Sequence, residues 1–205
     1  VHTMTELPPM FLRAVPQRAV HVARIKEELP EATVLWCTQD PTRKPWLRAT
    51  DNFLRALREA GDGPSIHLED DIILCPRFRE KLLAEINQRP GAVINGFCLR
   101  KADLELGSRW DGRFGGLLCT YLPAGYPAQV IDYVPTYLEQ KGREPDGMIE
   151  CDDLLDYWLK SRKEKHWIVV PSLVDHCHGR SMVQSIRNHS RQSKTFHRHF
   201  ETEQP

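Results

Sequence analysis

His67-Leu68-Glu69-Asp70-Asp71-Ile72-Ile73-Leu74 places three consecutive carboxylates inside a run otherwise suited to a buried strand. The branched side chains of Ile72 and Ile73 favour a pleated, covered position. Read as one strand, the segment alternates its side chains every two residues, so Glu69 and Asp71 share a face and Asp70 points to the other. Two acids held side by side in a partly dry site repel each other, and either one keeps its proton or a cation joins them. A hard divalent ion, Mn²⁺ or Mg²⁺, with oxygen ligands and a phosphate meets that need. Apolar sequence on both sides makes three charges costly here without such a partner.

Outward from this stretch, apolar runs alternate with helical spacings. Towards the N-terminus, Met10 to Val15 and Thr33 to Thr38 read as strands, with helices over Arg18 to Leu29 and Trp46 to Ala60. Phe53, Leu54 and Leu57 mark one face of the second helix. Towards the C-terminus come a helix from Phe78 to Asn87, a strand from Ala92 to Leu99 after the Pro90-Gly91 turn, and a loop over 107–116. A strand over Leu117 to Leu122, helices over Tyr126 to Leu138 and Asp152 to Arg162, and a strand from Trp167 to Val170 complete the pattern. Such alternation predicts a single three-layer α/β/α sandwich around a mainly parallel central sheet. Ligands of these sheets gather at the carboxyl ends of the strands, where residues 69–71 emerge.

The 205 residues suit one domain, expected over 1–182, with a basic, flexible C-terminal tail over 183–205. Hydrophobic residues at 40% and charged residues at 27% describe an ordinary globular chain. Zero formal net charge excludes a global field drawing it to nucleic acid or anionic membranes. One asymmetry stands out: no acid occurs from His176 to Phe200, where Arg180, Arg187, Arg191, Lys194, Arg198 and five histidines fall, a pattern compatible with phosphate binding or a solvated terminus. The six cysteines show no CxxC pair and read as free thiols of a reducing compartment. No signal-peptide pattern and no run of ~20 apolar residues appears, so a cytoplasmic protein without a membrane span is expected. The chain begins at Val1 rather than Met, which suggests trimming upstream.

Two further groups carry candidate chemistry. Glu150-Cys151-Asp152-Asp153 opens a helix, where acids suit the N-terminal dipole; Asp152 and Asp153 are also candidates for a general base activating an acceptor hydroxyl. Asp156, a turn later, reads as solvated. Asp175-His176-Cys177-His178-Gly179-Arg180-Ser181 supplies an imidazole just after a strand, able to complete a metal site or touch a diphosphate. Arg13 and Arg18, near the first strand end, suit a nucleobase or phosphate, and Asp40, after the second strand, suits a base or ribose.

Together these segments resemble the GT-A-fold glycosyltransferases. Leu68-Glu69-Asp70-Asp71 resembles the LEDD form of the family's DxD motif, followed as there by Pro-x-Phe in Pro76-Arg77-Phe78. Pro171-Ser172-Leu173 with His176 and Ser181 resembles the PSLxxH segment of N-acetylglucosaminyltransferase IV-type enzymes and of small actinobacterial and phage glycosyltransferase-like proteins. Gly115-Gly116-Leu117-Leu118 with the helix from Tyr126 is similar to the acceptor-side strand and helix, and Asp152-Asp153 falls where the family places its acidic catalytic motif. The resemblance spans roughly residues 10 to 182.

The resemblance implies a metal-dependent, hexosyltransferase-like enzyme moving a sugar from a nucleotide-diphosphate sugar, first of all a UDP-sugar, to a hydroxyl of a saccharide or of modified phage DNA. It implies Asp71 and His176 as metal ligands, with Glu69 on the ribose, Asp70 on the loop or sugar, and Ser181, Arg13 and Asp40 around the donor. Asp152 or Asp153 would be the base of an inverting reaction; in a retaining one, both would bind acceptor or sugar. The family's His-x-Gly is replaced by His176-Cys177-His178, which leaves His178 as a competing ligand, with His176 favoured. Two other readings compete: a metal-dependent nuclease using Asp175, His176 and His178, and a non-catalytic nucleotide- or sugar-binding module.

Overall fold

The structure, a computed structural model, describes residues 3–38, 42–100, 102–142, 150–177 and 192–196. Strand β1 (Met10–Ala14) leads through a 3-10 turn (Pro16–Arg18) into helix α1 (Ala19–Glu28), then β2 (Thr33–Trp36) and helix α2 (Pro45–Ala60). Strands β3 (Ser65–Glu69) and β4 (Ile72–Leu74) precede helix α3 (Phe78–Gln88) and the short β5 (Ile94–Asn95). Next come helix α4 (Asp103–Leu106), β6 (Arg109–Asp111), β7 (Cys119–Leu122), helix α5 (Tyr126–Lys141) and helix α6 (Cys151–Ser161). Strands β8 (His166–Ile168) and β9 (Val174–His176) follow.

Among the described residues the main sheet has seven strands in the order β2-β1-β3-β7-β5-β8-β6. β2, β1, β3, β5 and β8 run one way, and β7 and β6 run against them, so the sheet is mainly parallel. Alternation along the strands sorts the core into two faces. Met10, Leu12 and Ala14 of β1 and Ile66 and Leu68 of β3 pack with Val22 and Ile25 of α1 and Phe78, Leu82 and Ile86 of α3. On the other face, Phe11 of β1 packs with Ala56 of α2, while Phe53, Leu54 and Leu57 of α2 join residues of α5 and α6. Helices thus cover both faces, and the expected three-layer α/β/α sandwich is the observed architecture.

Helix α2 shows why these segments fold as they do. Pro45, whose missing N–H costs nothing at a first helical position, opens the helix, and Gly61 at φ +58° ends it in a conformation few side chains tolerate. Phe53 and Leu57, one turn apart, are fully buried.

Three differences from the sequence reading matter. The segment around 66–74 is not one strand: it breaks at a turn over Asp70-Asp71, and β4 leaves the main sheet to pair with β9. The strand expected over Ala92 to Leu99 shortens to Ile94–Asn95. Within the expected loop over 107–116 lies the edge strand β6, whose sequence Arg-Trp-Asp lacks the apolar run that marks buried strands.

Candidate active site

The site is assembled where β1 and β3 end side by side. Their parallel register sets Arg13 opposite Glu69. After Glu69 the turn carries the chain into β4, whose antiparallel register with β9 pairs Ile72 with His176. That register brings His176 Nδ1 to 3.4 Å from Asp71 Oδ2, joining residues more than a hundred positions apart. The Asp71 carbonyl accepts from Cys177 N at 2.7 Å. On the far side of the ring, Phe97 packs edge-on at 5.3 Å between centroids. Asp175 faces inward instead: its Oδ1 accepts from His176 N (2.9 Å) and Ser193 N (2.7 Å), tying residues 192–196 to β9.

The turn corrects the assignment of faces. Outside a strand the two-residue alternation does not apply, and Asp70 and Asp71 converge on one guanidinium. Arg18 Nη1 lies 2.8 Å from Asp70 Oδ1 and 3.0 Å from Asp71 Oδ2. Asp70 Oδ2 also accepts from Val15 N at 2.7 Å, so it braces the loop after β1. Burial pushes the Asp70 carboxyl above its ordinary range, against the pull of Arg18 and the Val15 N–H. Burial works against the Arg18 charge too, but Asp71 and Asp70 outweigh it and hold its pKa above the ordinary value.

Glu69 sits on the α2 side. Its Oε1 pairs with Arg13 Nη2 at 3.2 Å, and its side chain keeps 29% of its exposure. Arg13 is itself buried: Nη2 donates to the Leu117 carbonyl (2.7 Å), Nη1 reaches Cys151 Sγ (3.8 Å), and the guanidinium lies over the Phe53 ring. Most of its hydrogen-bonding capacity is therefore engaged within the protein. Burial drives the Glu69 carboxyl up to about 7, opposed by Arg13 and reinforced by Asp71 and Asp152. Two acids of the acidic stretch and one from the start of α6 thus share one electrostatic neighbourhood, a common property of functional sites.

The two candidate bases part company at the start of α6. Asp152 Oδ2 accepts from Gly116 N at 3.0 Å, on the Glu69 side of the helix. Gly116 is at φ +80°, and a Cβ there would stand 2.7 Å from Phe97 Cδ1, so only glycine allows this approach. Asp153 turns away to pair with Lys141 Nζ at 2.9 Å and is 40% exposed. Asp156, expected to be solvated, is buried: its Oδ1 accepts from Phe114 N at 2.8 Å and its Oδ2 pairs with Lys160. The helix turns it inward beside Leu155, onto a backbone donor that would otherwise lack a partner.

A cleft opens at the carboxyl ends of β1 and β2, lined by Arg13, Val15, Arg18, Cys37, Arg48, Asn52, Glu69 and Asp70, among others. Arg48, which no sequence pattern marked, faces this space with Nε buried and no hydrogen-bond partner among the described residues. Asp40, Ser181 and His178 lie outside the described residues. For a divalent ion, the described donors are one carboxylate and one imidazole, Asp71 and His176, already in contact. Among the described residues no cluster of three or more His, Cys, Asp or Glu forms a complete cage. Two protein donors fit an ion that takes its remaining ligands from phosphate oxygens and water.

The sequence reading gave Cys151, Gly116 and Phe97 no role of their own, yet they hold the named residues in place. The Gly115-Gly116 pair was the one legible signal among them. All six cysteines are free, and no helix among the described residues is long and apolar enough to cross a membrane.

No protein-family profile and no curated protein matches the chain. Among solved structures, A197 from STIV is similar at 12% identity and a TM-score of 0.49, covering 84% of this chain and 87% of that one. A protein assigned as a glucose-1-phosphate thymidylyltransferase from Bacillus anthracis, in complex with a sucrose, is similar at 10% identity and a TM-score of 0.45, covering 83% and 90%. A UDP-glucose pyrophosphorylase from Acinetobacter baumanii shows 10% identity and a TM-score of 0.38, covering 78% and 64%. At these scores the functional reading rests on the geometry of the site.

Proposed function

We propose that this chain is a metal-dependent glycosyltransferase of the GT-A type, transferring a sugar from a nucleotide-diphosphate sugar, a UDP-sugar first, to a hydroxyl acceptor. The observation that carries the reading is the β4–β9 register, which brings Asp71 of the Leu-Glu-Asp-Asp motif against His176 of the Pro-Ser-Leu-x-x-His motif. Two segments that resemble one family's motifs separately meet in space, which supports reading them as parts of one site.

In the proposed mechanism Asp71 and His176 would hold Mn²⁺ or Mg²⁺. When bound, the ion supplies positive charge to the diphosphate leaving group. Glu69, held by Arg13, accepts a hydrogen bond from the donor ribose, and Asp70 keeps the loop after β1 closed on the donor through Val15 N. Arg48, which lines the cleft, would meet the donor there. The acceptor oxygen attacks the anomeric carbon as the bond to the diphosphate breaks, and in an inverting reaction Asp152 takes the acceptor proton. Asp152 is preferred to Asp153 because Lys141 holds the latter away. The acceptor hydroxyl belongs to a saccharide or to modified DNA. Asp175 Oδ1 accepts from two backbone N–H groups, which counts against Asp175 as the carboxylate of the nuclease reading.

Incubation with a panel of UDP-, GDP- and TDP-sugars and Mn²⁺, scored for nucleotide release and for binding by calorimetry, tests the proposal. Release from one donor that disappears in Asp71→Asn supports it. Failure of every nucleotide sugar to bind, with or without metal, overturns it. Tight binding with no turnover across an acceptor panel would favour the binding-module reading.

A further inference from the structure

We infer that Arg18 is a resident counter-ion of the Asp70-Asp71 turn, which gives up Asp71 when a divalent cation enters and then serves the diphosphate of the donor. This rests on the metal–nucleotide site proposed above. Arg18 Nη1 and His176 Nδ1 approach the same atom, Asp71 Oδ2, at 3.0 Å and 3.4 Å. A cation bound between Asp71 and His176 would therefore lie close to the guanidinium. Like charges at such separations repel strongly where water is scarce.

The surroundings let Arg18 leave without dismantling the turn. Asp70 keeps Val15 N at 2.7 Å, and the Asp71 backbone stays tied through Cys177 N. Arg18 ends the 3-10 turn after β1, keeps 15% of its side-chain exposure and lines the cleft the donor would fill. Arg13, also on that cleft, is packed too deeply to make the same move. Once turned from Asp71, the Arg18 fork matches two oxygens of a diphosphate. The consequence is positive coupling: a nucleoside diphosphate draws Arg18 off the acid and tightens the cation, and the cation tightens the nucleotide by the same factor.

Titration of the full chain with Mn²⁺, alone and with saturating UDP, tests this in the native protein, Arg18→Gln and Arg18→Lys. Calorimetry gives the affinities, and the thermal shift caused by Mn²⁺ gives a second readout that needs no turnover. In the native protein, UDP should tighten Mn²⁺ about tenfold or more. Arg18→Gln should bind Mn²⁺ alone about tenfold more tightly than the native chain, show the larger Mn²⁺-induced thermal shift and lose most of the UDP coupling. Arg18→Lys, which keeps the charge but not the fork, should fall between the two, and it decides the matter if the Gln protein does not fold. Mn²⁺ affinity unchanged or weakened in the folded variants, while the native chain binds Mn²⁺ with UDP, overturns the role of Arg18 and leaves the site intact. No Mn²⁺ binding by the native chain with UDP overturns the site, and this inference with it.

Discussion

Asp152 and Asp153 are neighbours in sequence with different surroundings: one is held by a glycine N–H beside Glu69, the other, 40% exposed, by the nearly buried Lys141. Asp152→Asn should lower kcat by about 10²–10⁴-fold, the span of a lost general base. Asp153→Asn, which takes the carboxylate away from a nearly buried lysine, should cost about 1–3 kcal/mol of stability and leave turnover near the native value. Donor-turnover assays on both proteins check the contrast. Beneath the site, His67 is fully buried, hydrogen-bonded with Ser65 Oγ at 2.9 Å and packed between Phe11 and Phe53. Burial, with Arg13 adding, lowers its pKa from 6.5 to about 3, so the folded chain keeps it neutral where the unfolded chain would protonate it. Between about pH 6.5 and 3 the unfolded state binds more protons at this residue, and its contribution to stability is lost as pH falls through that window. Glu69, raised to about 7, acts in the opposite direction between its ordinary value and 7, so the His67 part is isolated by comparison with His67→Gln. The melting temperature of the native protein minus that of the variant should shrink from pH 7 to pH 5; a constant difference would refute the assignment.

At the scale of elements, the decisive feature is the turn between β3 and β4. Composition could not reveal it, because Ile72-Ile73-Leu74 suits a strand equally well whether it continues β3 or pairs with β9. The contacts across β9 settle the matter, and with them the side on which Asp70 lies. Helix α6 is similar: its acids fit a first helical turn, but their orientation depends on what packs around it. Gly116 couples these elements by letting the chain pass Phe97 while offering its N–H to Asp152. Gly116→Ala should destabilise the fold by about 1–2 kcal/mol from the left-handed backbone alone, with more from the clash with Phe97. It should also lower turnover, because Asp152 and His176 both depend on that corner; chemical denaturation and kinetics on the same preparation check both effects.

For the whole molecule, the proposed site closes only when the first strand, the acidic turn, α6 and β9 are all in place, so its ligands should stabilise the entire fold. At about 100 times Kd, a Mn²⁺–UDP pair should add about 2.7 kcal/mol to stability, and a chelator should remove the part due to the cation. Thermal melts with UDP, Mn²⁺, both, and excess chelator check this; no shift with both ligands would count against the donor site. The layer order, the mainly parallel sheet and the acidic and histidine motifs were determined by sequence alone, because strand and helix periodicities and the cost of burying charges act locally along the chain. The pairing of Asp71 with His176, the convergence of Asp70 and Asp71 on Arg18, and the separation of Asp152 from Asp153 were decided by tertiary structure. Each depends on strand register or helix rotation, which the packing of distant segments sets and local periodicity does not encode.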